Sequence, residues 1–200
     1  MAIFRPNGSG GNNFFGICEI ALKEFNDRSS EFEWADLFLD ITINQKGSEY
    51  TRNIKVAGSF DKDSDGNITG GSVLRRLYVF FAAIGCKAGL NVKGGWETED
   101  GKEIKDIAKY LNDNFTKPTM PDGDPNYNYI AYVYKEKPKK EGDKAWTRVY
   151  HKIYANNTPN MAKLTDDVTW LKGRGVIKEA TDLPKESGGN TLQGSGLSSL

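Results

Sequence analysis

The 200-residue chain carries 27 basic and 27 acidic side chains, a formal net charge of zero that speaks against phosphate binding over its whole surface. Its 38% hydrophobic and 12% aromatic content is that of an ordinary soluble domain rich in rings, long enough for one proper core and too short for two large ones. No apolar run reaches the roughly 18 residues of a spanning helix, and the opening MAIFRPNGSGG lacks the apolar stretch of a signal peptide, so a cytoplasmic protein without a membrane partner is expected.

The first thirteen residues, rich in Gly and Asn, read as a flexible arm. From Phe15 the chain alternates, with Cys18, Ile20 and Leu22 on one face and Glu19, Ala21 and Lys23 on the other, which predicts a half-buried strand. WADLFLDITINQ predicts a second strand, placing Leu37, Leu39, Ile41 and Ile43 opposite Asp36, Phe38, Asp40 and Thr42. QKGSE is a hairpin turn and YTRNIKVAGSF a third strand. Cys18 and Cys86 lie in apolar segments without zinc spacing, which suits buried, reduced thiols.

SFDKDSDGNITGGS then places Asp61, Asp63, Asp65 and Gly66 as a calcium loop would, with Ile68 eighth and Thr69 ninth. Ser72 stands where the bidentate Glu belongs, and the preceding segment is a strand rather than a helix. A polar Asp-Gly turn is the better reading, and no metal or other cofactor is expected. The period next lengthens to that of a helix, with Val73, Leu74, Leu77, Tyr78, Phe81 and Ile84 as its stripe, Ser72 as N-cap and Gly85 or Gly89 as stop. GKEIKDIAKYLNDNF predicts a more exposed helix through Ile104, Ile107, Ala108, Leu111 and Phe115, ending before the proline-containing TKPTMPDGDP.

YNYIAYVYKE and KAWTRVYHKIYA close the domain as two strands joined by KPKKEGD. Three strands, a helix and two strands is the order of an OB-fold, and the fold class expected is mainly β with α, a five-stranded OB-fold-like barrel (β-β-β-α-β-β) spanning residues 14–157. A layered α+β fold with a covered sheet is the alternative. An extra short helix is expected within 158–180, carrying Leu164, Val168 and Leu171, and a disordered tail over 181–200.

Charge is uneven along the chain: residues 1–70 hold 7 basic and 11 acidic side chains, residues 127–154 hold 7 and 3. The basic stretch contains the last strand, where Trp146, Arg148, Tyr150, Lys152 and Tyr154 share one face and Thr147, Val149, His151 and Ile153 the other. If Val and Ile face the core, the open face alternates ring and cation, the surface on which single-stranded nucleic acid stacks its bases while its phosphates meet the charges. Lys135, Lys137, Lys139, Lys140 and Lys144 in the connection supply further cations, and Arg52 and Lys55 on the third strand add candidates that a solvated edge would equally explain. The same pattern also serves sheet packing and edge protection. Trp34 and Phe38 are better read as packing under the arm or loops, because Asp36 and Asp40 beside them repel phosphate.

An enzyme is not expected. The single histidine, His151, falls on the core side without a placed nucleophile, and neither a Gly-x4-Gly-Lys phosphate loop nor a dinucleotide fingerprint is present.

Residues 15–157, with SVLRRLYVFFAAIGC followed by YIAYVYKEKPKKEGDKAWTRVYHKIY, resemble small phage-encoded OB-fold single-stranded DNA-binding proteins of replication modules in segment order and texture. The resemblance implies that Trp146, Arg148, Tyr150 and the loop lysines contact DNA during replication or recombination. It also makes replication or recombination proteins and further copies of the chain candidate partners, in the host cytoplasm. Many such proteins end in an acidic tail with a terminal aromatic that recruits partners, whereas this chain ends GSGLSSL, with Asp166, Asp167 and Trp170 upstream, so that role is not carried over. The alternatives are a phage structural or protein-interaction module without nucleic-acid binding and a calcium-stabilised binding module.

Overall fold

The computed structural model describes residues 15–116, 125–140 and 142–180; the arm and the tail expected from sequence lie outside the described residues. Three antiparallel strands come first, β1 (Gly16–Asp27), β2 (Leu37–Gln45) and β3 (Thr51–Gly58). Their alternation has the expected sense: Ile20 and Leu22 on β1, and Leu37, Leu39, Ile41 and Ile43 on β2, are buried in one cluster. A register shift between Leu22 and Glu24 changes the parity of β1 and turns Phe25 into the same core.

The aspartate segment folds as a tight hairpin of β4 (Asp61–Lys62) and β5 (Ile68–Gly70). The Asp63 carboxylate accepts from the backbone N–H of Asp65 and Asn67 and from Asn67 Nδ2, at 2.8–3.0 Å, while Gly66 supplies the positive φ of 75°. These bonds hold Asp63 below the usual carboxylate range, those from Asn67 most strongly. The polar-turn reading describes what is there.

α1 (Ser72–Ile84) follows, with Val73, Leu77, Phe80, Phe81 and Ile84 buried against the barrel and Phe80 meeting Phe25 edge-on at 6.2 Å. Two details differ from expectation. Gly71, not Ser72, holds the N-cap position, at φ 137°. Tyr78 is exposed while Phe80 is buried, because the sheet covers a face rotated toward Phe80; Tyr78 Oη instead accepts from Leu90 N–H. Gly85 ends the helix in the left-handed region, as a stop glycine should.

Three two-residue strands, β6 (Gly89–Leu90), β7 (Trp96–Glu97) and β8 (Glu103–Ile104), then pair in succession. α2 (Ile107–Phe115) starts only after them, capped by the Asp106 side chain accepting from Lys109 N–H. Ile104, expected on this helix, is a strand residue.

β9 (Tyr129–Lys135) returns to pair with β1, and the fifth barrel strand arrives in two pieces on β9, β10 (Thr147–Val149) and β11 (Tyr154–Ala155). The sheet order β10-β9-β1-β2-β3, with α1 between the third and fourth long strands, is that of an OB-like barrel. Among the described residues the protein is thus mainly β with three α-helices, its sheet a nearly closed barrel of five antiparallel strands. α3 (Thr158–Gly173) packs outside on β9 through Leu164, Val168 and Leu171, which join Ile130, Tyr132 and Ile177 in a second apolar cluster.

β1 outruns β9: the pairing stops at Ile20 opposite Tyr129, leaving Phe25 without a strand on that edge. Asn112 of α2 fills the gap, its Oδ1 accepting from Phe25 N–H and its Nδ2 donating to Phe25 C=O, both at 2.8 Å. One carboxamide thereby substitutes for a strand and fastens α2 to the barrel. Asn112→Ala should destabilise the fold by about 1–3 kcal/mol, the cost of stranding two partly buried backbone groups, read as a lower urea midpoint with unchanged m-value.

Candidate nucleic-acid interface

The fifth strand carries the ring and cation ladder, and its break decides which rungs are accessible. Val149 pairs with Val133 and Tyr154 with Ile130, so five residue steps on this strand answer three on β9. The excess of two is even, so inward and outward faces keep their sense across the bulge. Val149 and Ile153 face the main core, as expected. Tyr150 and Tyr154 face outward, against the second cluster.

That outward face is covered at one end. Asp167 of α3 accepts from Lys152 Nζ at 2.5 Å and from Tyr154 Oη at 2.6 Å. Burial raises the Asp167 carboxyl, but these two bonds outweigh it and hold the group below its ordinary value. Tyr150 is half-buried beside Tyr134 in the same cluster, and its phenol is pushed up chiefly by desolvation. The helix that follows the barrel therefore closes over Tyr150, Lys152 and Tyr154.

The other end is open. Trp146 is 61% exposed, with Lys144 Nζ 5.5 Å from its ring centroid. Beside it lies a shallow cleft of about 420 Å³ formed by Lys137, Pro138, Lys139, Lys144 and Arg148 together with Glu136 and Asp143. Arg148 Nε is paired with Glu136 at 2.8 Å, which leaves the three lysines facing Asp143 as the cleft's surplus charge. The hairpin base is clamped on both sides: Glu136 N–H donates to Trp146 C=O, and Lys137 N–H to Lys178 C=O beyond α3. Ala180 N–H donates to Lys135 C=O, completing a short bridge that the sequence left unassigned.

The remaining candidates lie apart from this cleft. Lys140 is exposed in the same hairpin but does not line it, and Lys135 Nζ sits 5.6 Å from the Phe15 ring centroid. Lys55 on β3 reaches over Phe38 at 5.8 Å, across from Asp40. Arg52, opposite Ile43, is half-buried and lends positive charge to the neighbourhood of Cys18. Burial pushes the Cys18 thiol up to about 11, and Cys86 is raised by the same cause.

Trp34 and Phe38, read from sequence as packing under the arm or loops, form one aromatic group with Phe32. Phe32 and Phe38 stack at 4.4 Å, Trp34 packs edge-on against Phe38 at 5.9 Å, and the Arg28 guanidinium lies 5.3 Å from the Phe32 centroid. Phe38 is buried by this loop packing, while Trp34 stays 59% exposed. Among the described residues no group of three or more His, Cys, Asp or Glu side chains is placed to hold a metal ion, and no helix is long and apolar enough to cross a membrane. No protein-family model, curated protein or solved structure matches the chain.

His151 is half-buried between β10 and β11, its ring centroid 4.6 Å from that of Tyr150. Burial lowers its pKa to about 4, with the positive charges of Arg76 and Lys152 adding to the effect. The unfolded chain takes up this proton near pH 6.5 and the folded chain near 4, so stability is complete above the upper value and falls as pH drops through this window. The thermal midpoint should therefore decline from pH 6.5 to 4, and a His151→Gln variant should lose part of that decline.

Proposed function

We propose that this protein is a non-catalytic binder that coats single-stranded DNA with little sequence preference, in phage replication or recombination. The observation that carries the reading is the open end of the ladder: an exposed Trp146 at the mouth of a cleft where Lys137, Lys139 and Lys144 outnumber Asp143. A base stacks on the indole, which accepts any base because each has a π-face, and adjoining phosphates meet the lysines. The OB-like barrel supplies a rigid base for the hairpin, and hairpins in this position are common binding elements of such barrels. Tyr150, Lys152 and Tyr154 serve the site indirectly, fixing the strand beneath α3 and so the direction in which Trp146 and Arg148 point. Little sequence preference fits a mode in which any base stacks on the indole and the lysines meet phosphates, which carry no sequence information.

The test is a tryptophan fluorescence titration with a poly-thymidine oligonucleotide at low and moderate salt, beside a duplex control. Quenching by the single strand that weakens with salt is expected, and its absence at low salt would overturn the reading. Trp146→Ala should remove most of the quench and about 1–3 kcal/mol of binding energy while leaving the thermal midpoint close to wild type, since the ring is exposed. Replacing Lys137, Lys139 and Lys144 by Ala should flatten the slope of log K against log salt by about 0.7 for each phosphate that a lysine no longer neutralises; an unchanged slope would remove the hairpin from the site.

A further inference from the structure

Trp34, Trp146 and Trp170 are the exposed tryptophans, and two of them are built alike. Trp146 carries Lys144 Nζ at 5.5 Å from its ring centroid, and Trp170, 60% exposed near the end of α3, carries the Arg174 guanidinium at 5.0 Å. A cation over one side of an exposed indole leaves the other side free. Trp34 is set differently: it packs on Phe32 and Phe38, and Arg28 and Lys55 lie over those phenyl rings rather than over the indole. Trp96 is half-buried against Phe81.

Helix geometry puts Trp170 on the flank of α3 that faces the fifth strand. Asp167 marks that flank by its bonds to Lys152 and Tyr154. Lys163, Trp170 and Arg174 stand four residues before it, three after and seven after, so they share its row, beside the buried row of Leu164, Val168 and Leu171. The helix also runs toward the lysine hairpin. Asp167 meets Tyr154, which pairs with Ile130; Lys172 Nζ lies 5.0 Å from the Tyr132 ring centroid; and Lys178 C=O accepts from Lys137 N–H. On the fifth strand Arg148 pairs with Tyr134 and Trp146 C=O accepts from Glu136 N–H, so the row leads toward the open end of the ladder.

Charge along the row favours an anion at that end. Asp167 is taken up by Lys152, and Glu179 by Lys172 at 2.8 Å. Lys163 and Asp166, both exposed, stand one turn apart and offset each other. Arg174 is left as the surplus cation beside the indole.

We infer that the Trp170 and Arg174 pair is a second stacking site for single-stranded DNA, holding a base of the same DNA strand that stacks on Trp146. This rests on the DNA-binding reading of the Trp146 cleft and extends it beyond the barrel. The base lies on the free side of the Trp170 indole, opposite Arg174, and the guanidinium meets an adjoining phosphate. α3 is thereby part of the binding surface as well as a cover for Tyr150 and Tyr154.

Fluorescence anisotropy with end-labelled oligothymidines of about 4 to about 16 nucleotides, the range of site sizes for one OB fold, measures it at low salt. A DNA strand too short to reach both rings should bind wild type and Trp170→Ala nearly alike. The longest should bind Trp170→Ala about fivefold or more weakly, the lower bound for one stacked base. Trp170→Phe, which keeps a ring, should recover most of that loss, and Arg174→Gln should flatten the salt slope for the longest oligonucleotide by about 0.7. Thermal midpoints should stay close to wild type, since both side chains are exposed. Trp170→Ala that binds every length as wild type does, while Trp146→Ala is weakened, would overturn this inference and leave the reading of the cleft standing. Wild-type protein that binds no length would overturn both. A loss equal at the shortest and longest lengths would also overturn the inference, because Trp170 would then act through the fold of the first site and not as a contact of its own.

Discussion

The arrangement depends on one constraint, that the fifth strand must serve two cores at once. Val149 and Ile153 complete the barrel interior while Tyr150 and Tyr154, on the opposite face, seat α3. A single-residue bulge between these pairs would exchange the two sets and bury a phenol and an ammonium where the barrel wants aliphatic carbon. Two extra residues allow the strand to bend without changing sides. His151 lies in the bend, where burial chiefly, and the nearby charges of Arg76 and Lys152, lower its basicity.

Covering part of the ladder has an electrostatic logic. Tyr154 packs on the apolar surface of Ile130, Leu164 and Val168, and Lys152 lies beside it, where partial loss of solvent disfavours an uncompensated ammonium. Asp167 resolves this by accepting from both, and it does so from α3, the element whose burial creates the problem. α3 exposes Trp170 and Met161 and holds to the barrel through three apolar side chains, this polar clamp and Lys172, whose Nζ lies 5.0 Å from the Tyr132 ring centroid. What remains open is the end of the strand where the clamp does not reach.

Much of this was legible before any coordinates. The barrel order follows from alternation in β1 to β3, a switch to helical period at Val73 and a return to alternation at Tyr129, because each signal is local and strong. The parity of the last strand was also readable, with Val149 and Ile153 inward. Less visible were features made by tertiary contact. β6, β7 and β8 have two residues each and no period to detect, so Ile104 read as helical. Asn112 is an unremarkable residue of an exposed helix until β1 is seen to outrun its neighbour. The cover of α3 over Tyr150 was hidden because Leu164, Val168 and Leu171 reveal an apolar face without saying against which strand it lies. Phe80 displaced Tyr78 from the buried stripe because the two sit on adjoining helix faces and only the sheet decides between them.

Zero net charge and a lysine-rich hairpin are compatible because screening makes charge a local quantity. At physiological salt the Debye length is about 8 Å, so a phosphate at the proposed Trp146 site would respond to Lys137, Lys139 and Lys144 far more than to carboxylates more than a Debye length away. The cleft nevertheless keeps Glu136 on Arg148 and places Asp143 at its edge, so its net field is modest. In the proposed binding mode the lysines would add a local, salt-screened contribution to stacking on an indole with a free face. That free face is the feature to which strand parity, the α3 clamp and the double-sided anchoring of the hairpin all contribute, since each fixes the direction of β10 at the residue before it begins.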